Sequence, residues 1–246
     1  MIIIQPHIFR QFSEIGFGFS TKVGNSARPP FYYNLSFSVG DDLVTVKQNR
    51  NLFFKQLGIK ESNVAFQKQV HGDSIKVVDS SGNQGESDAL ITREKNLGLA
   101  ITSADCCAIF IYDFKKEIIT AVHSGWRGTS KKILSKTLEK LKKEFGCNPQ
   151  DLYCYLSPSI SKQNYEVGRE VAEQFDKKYS TKKMDKYYLD LKTANYDMMI
   201  EHEINPNQIQ VSRLCSFGYS SLLHSYRRDG KNSGRALGVI FMRDKN

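Results

Sequence analysis

The stretch "CAIFIYDFKKEIITAVH", residues 107–123, contains two apolar segments that flank a short charged turn. Both segments are rich in β-branched and aromatic residues, which favours two β-strands. A connection through Lys115 and Lys116 predicts an antiparallel hairpin in which Ala108 lies opposite His123. This register decides which side chains share a face, because a shift by one residue reverses the faces of a strand.

The two cysteines at the start of this hairpin are predicted to face opposite sides of the sheet. Residues directly opposite each other share a face, and so do residues two apart along one strand. Cys106 is therefore expected on the face of His123, at a diagonal Cα spacing of about 7 to 8 Å. Two side chains that lean inward from that spacing can bind one ion. Cys107 is expected to be buried on the other face.

The rest of the chain predicts an α+β sandwich that forms one compact domain over residues 1–246. Apolar residues at helical spacing predict helices, and short apolar segments between polar turns predict further strands. A strand followed by a long ordered loop is expected in residues 16–34, which are rich in Gly, Ser and Pro. The helices are expected in 41–58, 130–146, 167–175 and 190–203, and the further strands in "SIKVVDS", "LGLAIT" and "GRALGVIFMRD".

Composition and charge narrow the class of protein. Five cysteines without a repeated spacing favour a reducing compartment, so we expect a cytoplasmic protein. The N-terminus has no signal-peptide pattern, and no segment reaches membrane-spanning length. The formal net charge is +9, and much of it lies between the apolar positions of the predicted helix in 130–146. That pattern favours a solvated basic face, so neither a nucleic acid nor a membrane is the expected partner.

Two of the five histidines lie where functional sites are often built. His71 lies in the turn of "KQVHGD", and His123 ends a predicted strand directly before "SGWRGT". A single histidine in such a setting is more often structural. Together with Cys106, however, the pair makes a set of one thiolate and two imidazoles, which Zn²⁺ accepts with one tetrahedral position left open. An open position is typical of catalytic zinc, whereas structural zinc has four protein ligands.

Six sequence blocks spread over most of the chain carry a family resemblance. The blocks are "QVHGD" (69–73), "ESDALIT" (86–92), "ADC" (104–106), "AVHSGWRGT" (121–129), "SPSISKQNYEVG" (157–168) and "HSYRRDGKNSGR" (224–235). "HSGWRGT" together with "SYRRDG" is the specific part of this pattern. The chain resembles the bacterial multicopper polyphenol oxidase (laccase)-like proteins, which are also described as purine nucleoside phosphorylases and as a peptidoglycan editing factor.

The resemblance implies an α/β sandwich with mixed β-sheets covered by helices and a zinc ion on His71, Cys106 and His123. It implies phosphorolysis of adenosine, inosine and S-methyl-5′-thioadenosine to the base and ribose 1-phosphate, with adenosine deaminase activity. The sequence departs from the family pattern at Cys107 and His224, which are candidate pocket residues. The preferred nucleoside therefore stays open.

Phosphorolysis needs a phosphate site, and guanidinium groups or backbone N–H groups at a helix start can bind phosphate. The turn "RGT", residues 127–129, opens the predicted helix in 130–146. Asp105, Glu86 and Asp88 are candidates for proton transfer, although capping of a turn is an equal alternative for a buried carboxylate. The predicted catalytic residues are Asp105, Arg127 and Arg228, and the predicted substrate- and phosphate-binding residues are Arg127, Gly128, Thr129, Tyr226, Arg227 and Arg228.

Other functions remain open from the sequence. A copper-dependent polyphenol oxidase would use the same three ligands, since such a set also binds copper, but five histidines are too few for a multicopper centre. A cysteine hydrolase would use Cys106 as nucleophile and His123 as base. Peptidoglycan precursor editing, and binding without turnover, are further alternatives. The expected partners are a purine nucleoside and phosphate, and the chain is a monomer or a homodimer.

Overall fold

The computed structural model describes residues 1–24 and 28–244. Within these residues the strands are β1 Ile3–Ile4, β2 Ile15–Ser20, β3 Val64–Lys68, β4 Ile75–Val77, β5 Gly82–Glu86, β6 Ala89–Thr92, β7 Gly98–Ser103, β8 Cys107–Asp113, β9 Ile118–Ser124, β10 Leu152–Leu156, β11 Glu166–Val167, β12 Ser180–Lys183, β13 Lys186–Leu189, β14 Ile209–Val211 and β15 Ala236–Met242. The helices are α1 Leu43–Leu57, α2 Trp126–Ser130, α3 Ile133–Phe145, α4 Arg169–Ala172, α5 Leu191–Glu201 and α6 Tyr226–Asp229.

Two mixed six-stranded sheets form the centre of the fold. The first has the order β1-β2-β15-β7-β3-β5, and the second has the order β14-β10-β8-β9-β6-β4. The hairpin β8–β9 lies in the middle of the second sheet, with Ala108 paired with His123 and Tyr112 paired with Ile119. The predicted register is therefore confirmed, because the turn after Asp113 has the length that the sequence indicated.

The two sheets pack face to face and each carries helices on its outer face. Phe110 and Tyr112 of β8 pack in one core with Phe17 of β2 and Ile101 of β7. On the other face of the second sheet, the alternate residues of β8 contact α3 and α5. On the outer face of the first sheet, α1 packs on β15. Helix, sheet, sheet and helix layers confirm the predicted α+β sandwich with mixed sheets.

The structure confirms the bounds of some predicted helices and changes those of others. Helix α1 is capped at its start by Asp42, whose carboxylate accepts the N–H of Thr45 at 2.8 Å, and at its end by Gly58, which has a φ of 74°. Helix α5 also lies where predicted, whereas the helix expected in 130–146 begins only at Ile133, because Lys132 has a φ of 59°. Residues 127–129, which were predicted to form a turn, are helical and belong to α2. The helix expected in 167–175 is shorter, because Val167 pairs in β11 with Tyr187 and α4 spans four residues.

The loop after β2 and the surface of α3 were also predicted from the sequence. The strand predicted in residues 16–34 is β2, whereas residues 25–27 of the predicted loop lie outside the described residues. The basic face of α3 is solvated as expected, and its lysines pair with neighbouring carboxylates, as in Lys140–Glu144 at 2.6 Å. Among the described helices, none combines the length and the apolar character that crossing a membrane requires.

Candidate metal and substrate site

His71, Cys106 and His123 converge where β8 begins and β9 ends. His71 lies in the loop between β3 and β4, and Cys106 directly precedes β8. Each of the three side chains offers one ligand atom, and these atoms lie within 4.8 Å of one another. The two imidazole rings have centroids 4.7 Å apart and are nearly perpendicular, at 85°. No second group of three metal-binding side chains converges in this way within residues 1–24 and 28–244.

Asp88 holds two of these three residues in place. Its buried carboxylate faces Nδ1 of His123 at 2.8 Å, which leaves Nε2 as the second ring nitrogen. The same carboxylate accepts the backbone N–H groups of Val70, His71 and Gly72, at 3.2, 3.0 and 2.6 Å. One side chain therefore orients an imidazole of β9 and also fixes the loop that carries His71, which has a φ of 58°. Carboxylates that orient a ligand histidine in this way are common at metal sites.

The electrostatics of the site favour a deprotonated sulfur. Burial alone would raise the pKa of the Cys106 thiol, but the imidazoles of His123 and His71 lower this pKa to about 6. Burial lowers the pKa of His123, whereas the charge of Cys106 and the hydrogen bond to Asp88 raise it to about 9. Each of these two groups therefore favours the charged form of the other, so the imidazoles stabilise a thiolate at Cys106. Thiolate is the form of cysteine that binds metals and that reacts as a nucleophile.

The space around the three ligands depends on Gly125. A Cβ atom added at this position would lie 2.8 Å from Sγ of Cys106 and 3.3 Å from Cδ2 of His71. Because Gly125 has a φ of −75°, its role is steric and does not concern the backbone conformation. Two imidazoles and one thiolate in an open cluster are donors that suit Zn²⁺. The residues present therefore fit a zinc ion with three protein ligands.

Asp105 connects the turn before Cys106 to the C-terminal block. Its side chain is buried, and its backbone has a φ of 92°. Oδ1 accepts the hydroxyl of Ser216 at 2.5 Å, and Oδ2 accepts the backbone N–H of Arg227 at 2.7 Å. Both carboxylate oxygens therefore have partners in the protein. Whether Asp105 also transfers protons stays a prediction, but its contacts show that it fixes the position of its neighbour Cys106.

The three predicted arginines have different surroundings. The Arg228 guanidinium donates to the backbone carbonyls of Ser216, Phe217 and Leu223, each at 2.9 Å, and also pairs with Asp229. It therefore holds a loop together. By contrast, Arg127 is exposed and its guanidinium carbon lies 4.3 Å from the ring centroid of Trp126.

Arg227 lies nearer to the metal ligands, since its backbone is tied to Asp105. Its Nη1 donates to the carbonyl of Glu166 at 2.5 Å, and its guanidinium carbon lies 5.2 Å from the ring centroid of Tyr165. The Cys106 thiolate is one of the charges that raise the pKa of Tyr165, after burial. Tyr165 therefore belongs to the same wall of the site, although no sequence pattern selected it.

Other predicted residues lie in the support of the site. A Cβ atom at Gly128 would be 3.1 Å from the carbonyl of Gly72, and Thr129 is buried, with its hydroxyl 2.9 Å from that of Ser124. Tyr226 is half exposed. Of the two departures that are candidate pocket residues, Cys107 is buried opposite Cys106 with its Sγ 3.3 Å from Oγ of Ser159, as predicted. His224 is buried as well, and Nε2 lies 3.3 Å from the carbonyl of Tyr33.

Besides Tyr165, sequence reasoning missed the roles of two residues that the structure brings to the site. Asp88 was considered only for proton transfer, and Arg235 was not considered, although both lie inside the conspicuous blocks "ESDALIT" and "HSYRRDGKNSGR". Glu86, the other acidic residue of the first block, is exposed and pairs with Lys68 at 2.8 Å. The signal that separates Asp88 from Glu86 is burial, which the sequence pattern did not reveal.

Comparisons with known proteins agree with this site. The chain is 32% identical over 228 residues to a purine nucleoside phosphorylase of Bacteroides thetaiotaomicron. The alignment covers 85% of this chain and 84% of that relative. It is 30% identical over 249 residues to the purine nucleoside phosphorylase YlmD of Bacillus subtilis, with 94% and 90% covered. These relatives support an enzyme of the nucleoside phosphorylase kind that acts on small molecules.

Solved structures with the same fold include the hypothetical protein YfiH of Bacillus licheniformis, at a TM-score of 0.89 and 28% identity, with 96% of this chain and 94% of that chain covered. YlmD from Geobacillus stearothermophilus has a TM-score of 0.88 and 26% identity over the same shares. The family described as multi-copper polyphenol oxidoreductase laccase matches residues 16–243. The chain therefore belongs to this family.

Proposed function

We propose that this protein is a zinc-dependent purine nucleoside phosphorylase, with His71, Cys106 and His123 as the metal ligands. The observation that carries the proposal is the convergence of three ligand atoms within 4.8 Å. Relatives that are named purine nucleoside phosphorylases and cover most of the chain support the reaction. The proposed substrates are adenosine, inosine and S-methyl-5′-thioadenosine, each cleaved by phosphate.

The residues of the chain divide the work of such a reaction. Bound zinc would supply a Lewis acid and lower the pKa of water, which adenosine deamination needs. Asp88 accepts a hydrogen bond from Nδ1–H of His123 and so leaves Nε2 free to bind the metal. Asp105 acts as a positioning residue for Cys106 and for the first turn of α6. Arg127 and Arg227 bind phosphate, because neither forms an ion pair in the described part of the chain.

The remaining assignments follow from burial. We assign Arg228, Gly128 and Thr129 to the support of the phosphate site, because their polar groups are used within the protein or are buried. Tyr226, which is half exposed beside these residues, stacks on the purine. All five cysteines are free, which supports a reducing, cytoplasmic environment.

A pair of matched variants tests this proposal. Cys106→Ala removes the thiolate ligand, whereas Cys107→Ala removes the adjacent thiol on the opposite face. We expect Cys106→Ala to lose zinc, phosphate-dependent release of hypoxanthine from inosine, and deamination of adenosine together. Cys107→Ala keeps all three. Elemental analysis of protein prepared without added metal gives the zinc content, and chromatography of the reaction products gives both activities. Phosphorolysis by metal-free Cys106→Ala would contradict the proposal.

A cysteine hydrolase is the second candidate, since Cys106, His123 and Asp88 also form a nucleophile, base and orienting carboxylate. This candidate predicts that iodoacetamide abolishes activity and that chelators leave it intact. The zinc enzyme predicts loss of activity on chelation and recovery when zinc is restored. Copper would occupy the same three ligands, so restoration with copper instead of zinc, together with a polyphenol substrate, tests the oxidase alternative.

A further inference from the structure

Arg235 lies beside the turn that carries Cys106. It directly precedes β15, whose first residue, Ala236, pairs with Ser103 at the end of β7. The hydroxyl of Ser103 donates to the carbonyl of Cys106 at 2.6 Å, so the end of β7 and the cysteine turn are joined. The guanidinium carbon of Arg235 lies 5.2 Å from the ring centroid of Tyr226, the first residue of α6. The pairing of β7 with β15 therefore brings Arg235 to the site.

Only part of the Arg235 guanidinium is used within the protein. Its Nη1 donates to the carbonyls of Ser233 and Gly234, at 2.7 and 3.1 Å. In the described part of the chain, Nε and Nη2 have no protein acceptor, and the side chain forms no ion pair. The backbone is also fixed, because its N–H donates to Oδ1 of Asn34 at 2.9 Å. A rigid, half-buried cation therefore presents two free donors.

The Arg235 side chain is mostly withdrawn from water, which favours an anionic partner. Burial lowers the pKa of Arg235, and the charges of Asp105 and Cys106 oppose that effect from nearby. The oxygens of Asp105 already accept from Ser216 and from the backbone of Arg227. A cation that is removed from water needs an anion with hydrogen-bonding oxygens. Arg228, by contrast, has carbonyl and carboxylate acceptors for its guanidinium nitrogens.

We infer that Arg235 binds the phosphate co-substrate, together with Arg227, beside the cluster of metal ligands. A planar guanidinium with two free donors matches two oxygens of a tetrahedral oxyanion. This inference rests on the proposed phosphorolysis. It makes Arg235 a determinant of phosphate binding and separates it from Arg228, which supports the loop.

Steady-state kinetics with varied phosphate test the role of Arg235. Arg235→Met removes the charge, and Arg235→Lys keeps the charge without the planar pair of donors. We expect Arg235→Met to raise KM for phosphate about 10- to 100-fold, as the loss of charge-assisted hydrogen bonds predicts. KM for inosine and the zinc content stay near their wild-type values, and Arg235→Lys restores part of the loss. Arg243→Met is the matched control, since this arginine lies about 26 Å away along the same strand.

Calorimetric titration with inorganic phosphate and with adenosine 5′-monophosphate separates the outcomes. Phosphate binding that is lost in Arg235→Met supports the inference even when the wild type shows no phosphorolysis, in which case only the proposed function fails. Active protein in which Arg235→Met changes KM for inosine and leaves KM for phosphate unchanged would overturn the inference. Binding of the nucleotide without binding of inorganic phosphate would also overturn it, because the site would then recognise a nucleotide.

Discussion

Replacement of Asp88 by asparagine is a sharp test of the site, because the two side chains have nearly the same shape. Oδ2 accepts the N–H groups of Val70 and Gly72, while Oδ1 accepts the N–H of His71 and faces Nδ1 of His123. An amide has one acceptor oxygen and one NH₂ donor. Whichever way it turns, a donor replaces an acceptor opposite at least one backbone N–H.

The magnitude follows from these two orientations. With the amide oxygen toward Gly72, the NH₂ group opposes the N–H of His71 and requires Nδ1 of His123 to accept, which moves the proton to Nε2. With the amide reversed, the N–H groups of Val70 and Gly72 lose their acceptor. One or two charge-assisted hydrogen bonds at about 1.5 to 3 kcal/mol each give an expected loss of about 1.5 to 6 kcal/mol in unfolding free energy. Loss of the orienting carboxylate lowers metal affinity about 10- to 100-fold.

Two assays measure these effects separately. Urea denaturation of metal-free protein gives the unfolding free energy, and competition with a chromophoric chelator gives the zinc affinity. Glu86→Gln is the control, because this carboxylate is two residues away but exposed and paired with Lys68. It is expected to change neither quantity. If Asp88→Asn binds zinc with wild-type affinity, the argument that Asp88 orients His123 as a ligand is wrong.

Burial lowers the pKa of His224 from 6.5 to about 4. Between pH 6.5 and pH 4, the unfolded chain therefore binds a proton at His224 and the folded protein does not. The contribution of His224 to the unfolding free energy, measured in urea as the difference between the wild type and His224→Phe at several pH values, should be constant above about pH 6.5 and fall by about 3 kcal/mol toward pH 4. A difference that does not change with pH would contradict this argument. Asp105→Asn keeps one acceptor and one donor for the two partners of this side chain. If Asp105 is a positioning residue, zinc content and kcat survive in Asp105→Asn and are lost in Asp105→Ala. If Asp105 transfers protons, both variants are inactive. Gly125→Ala places a methyl group 2.8 Å from Sγ of Cys106 and should lower the zinc affinity. The control Gly72→Ala meets ordinary contacts at 3.5 Å and should bind zinc like the wild type. Equal zinc affinities of the two variants would contradict the steric argument.

The sequence predicted the parts of the fold that depend on the spacing of residues within one short segment. The short connection through Lys115 and Lys116 predicted the register of the β8–β9 hairpin, and apolar residues at helical spacing in 41–58 predicted α1. The prediction was wrong in length for 167–175, because Val167 pairs with a distant strand and its apolar character serves β11. A single short segment does not reveal whether an apolar residue belongs to a helix or to a strand that a later part of the chain completes.

By itself, the sequence determined which of the two adjacent cysteines shares a face with His123, since side chains alternate along a strand with a period of two. It also supplied the six blocks that carry the family resemblance. Only the tertiary structure decided that Asp88 orients the site, that Arg228 is used by backbone carbonyls, and that Arg235 keeps free donors beside Cys106. The physical reason is that partners such as Asp88 with His123 and Asp105 with Arg227, which are 35 and 122 residues apart, are brought together by how sheets and loops pack, and no local pattern records them.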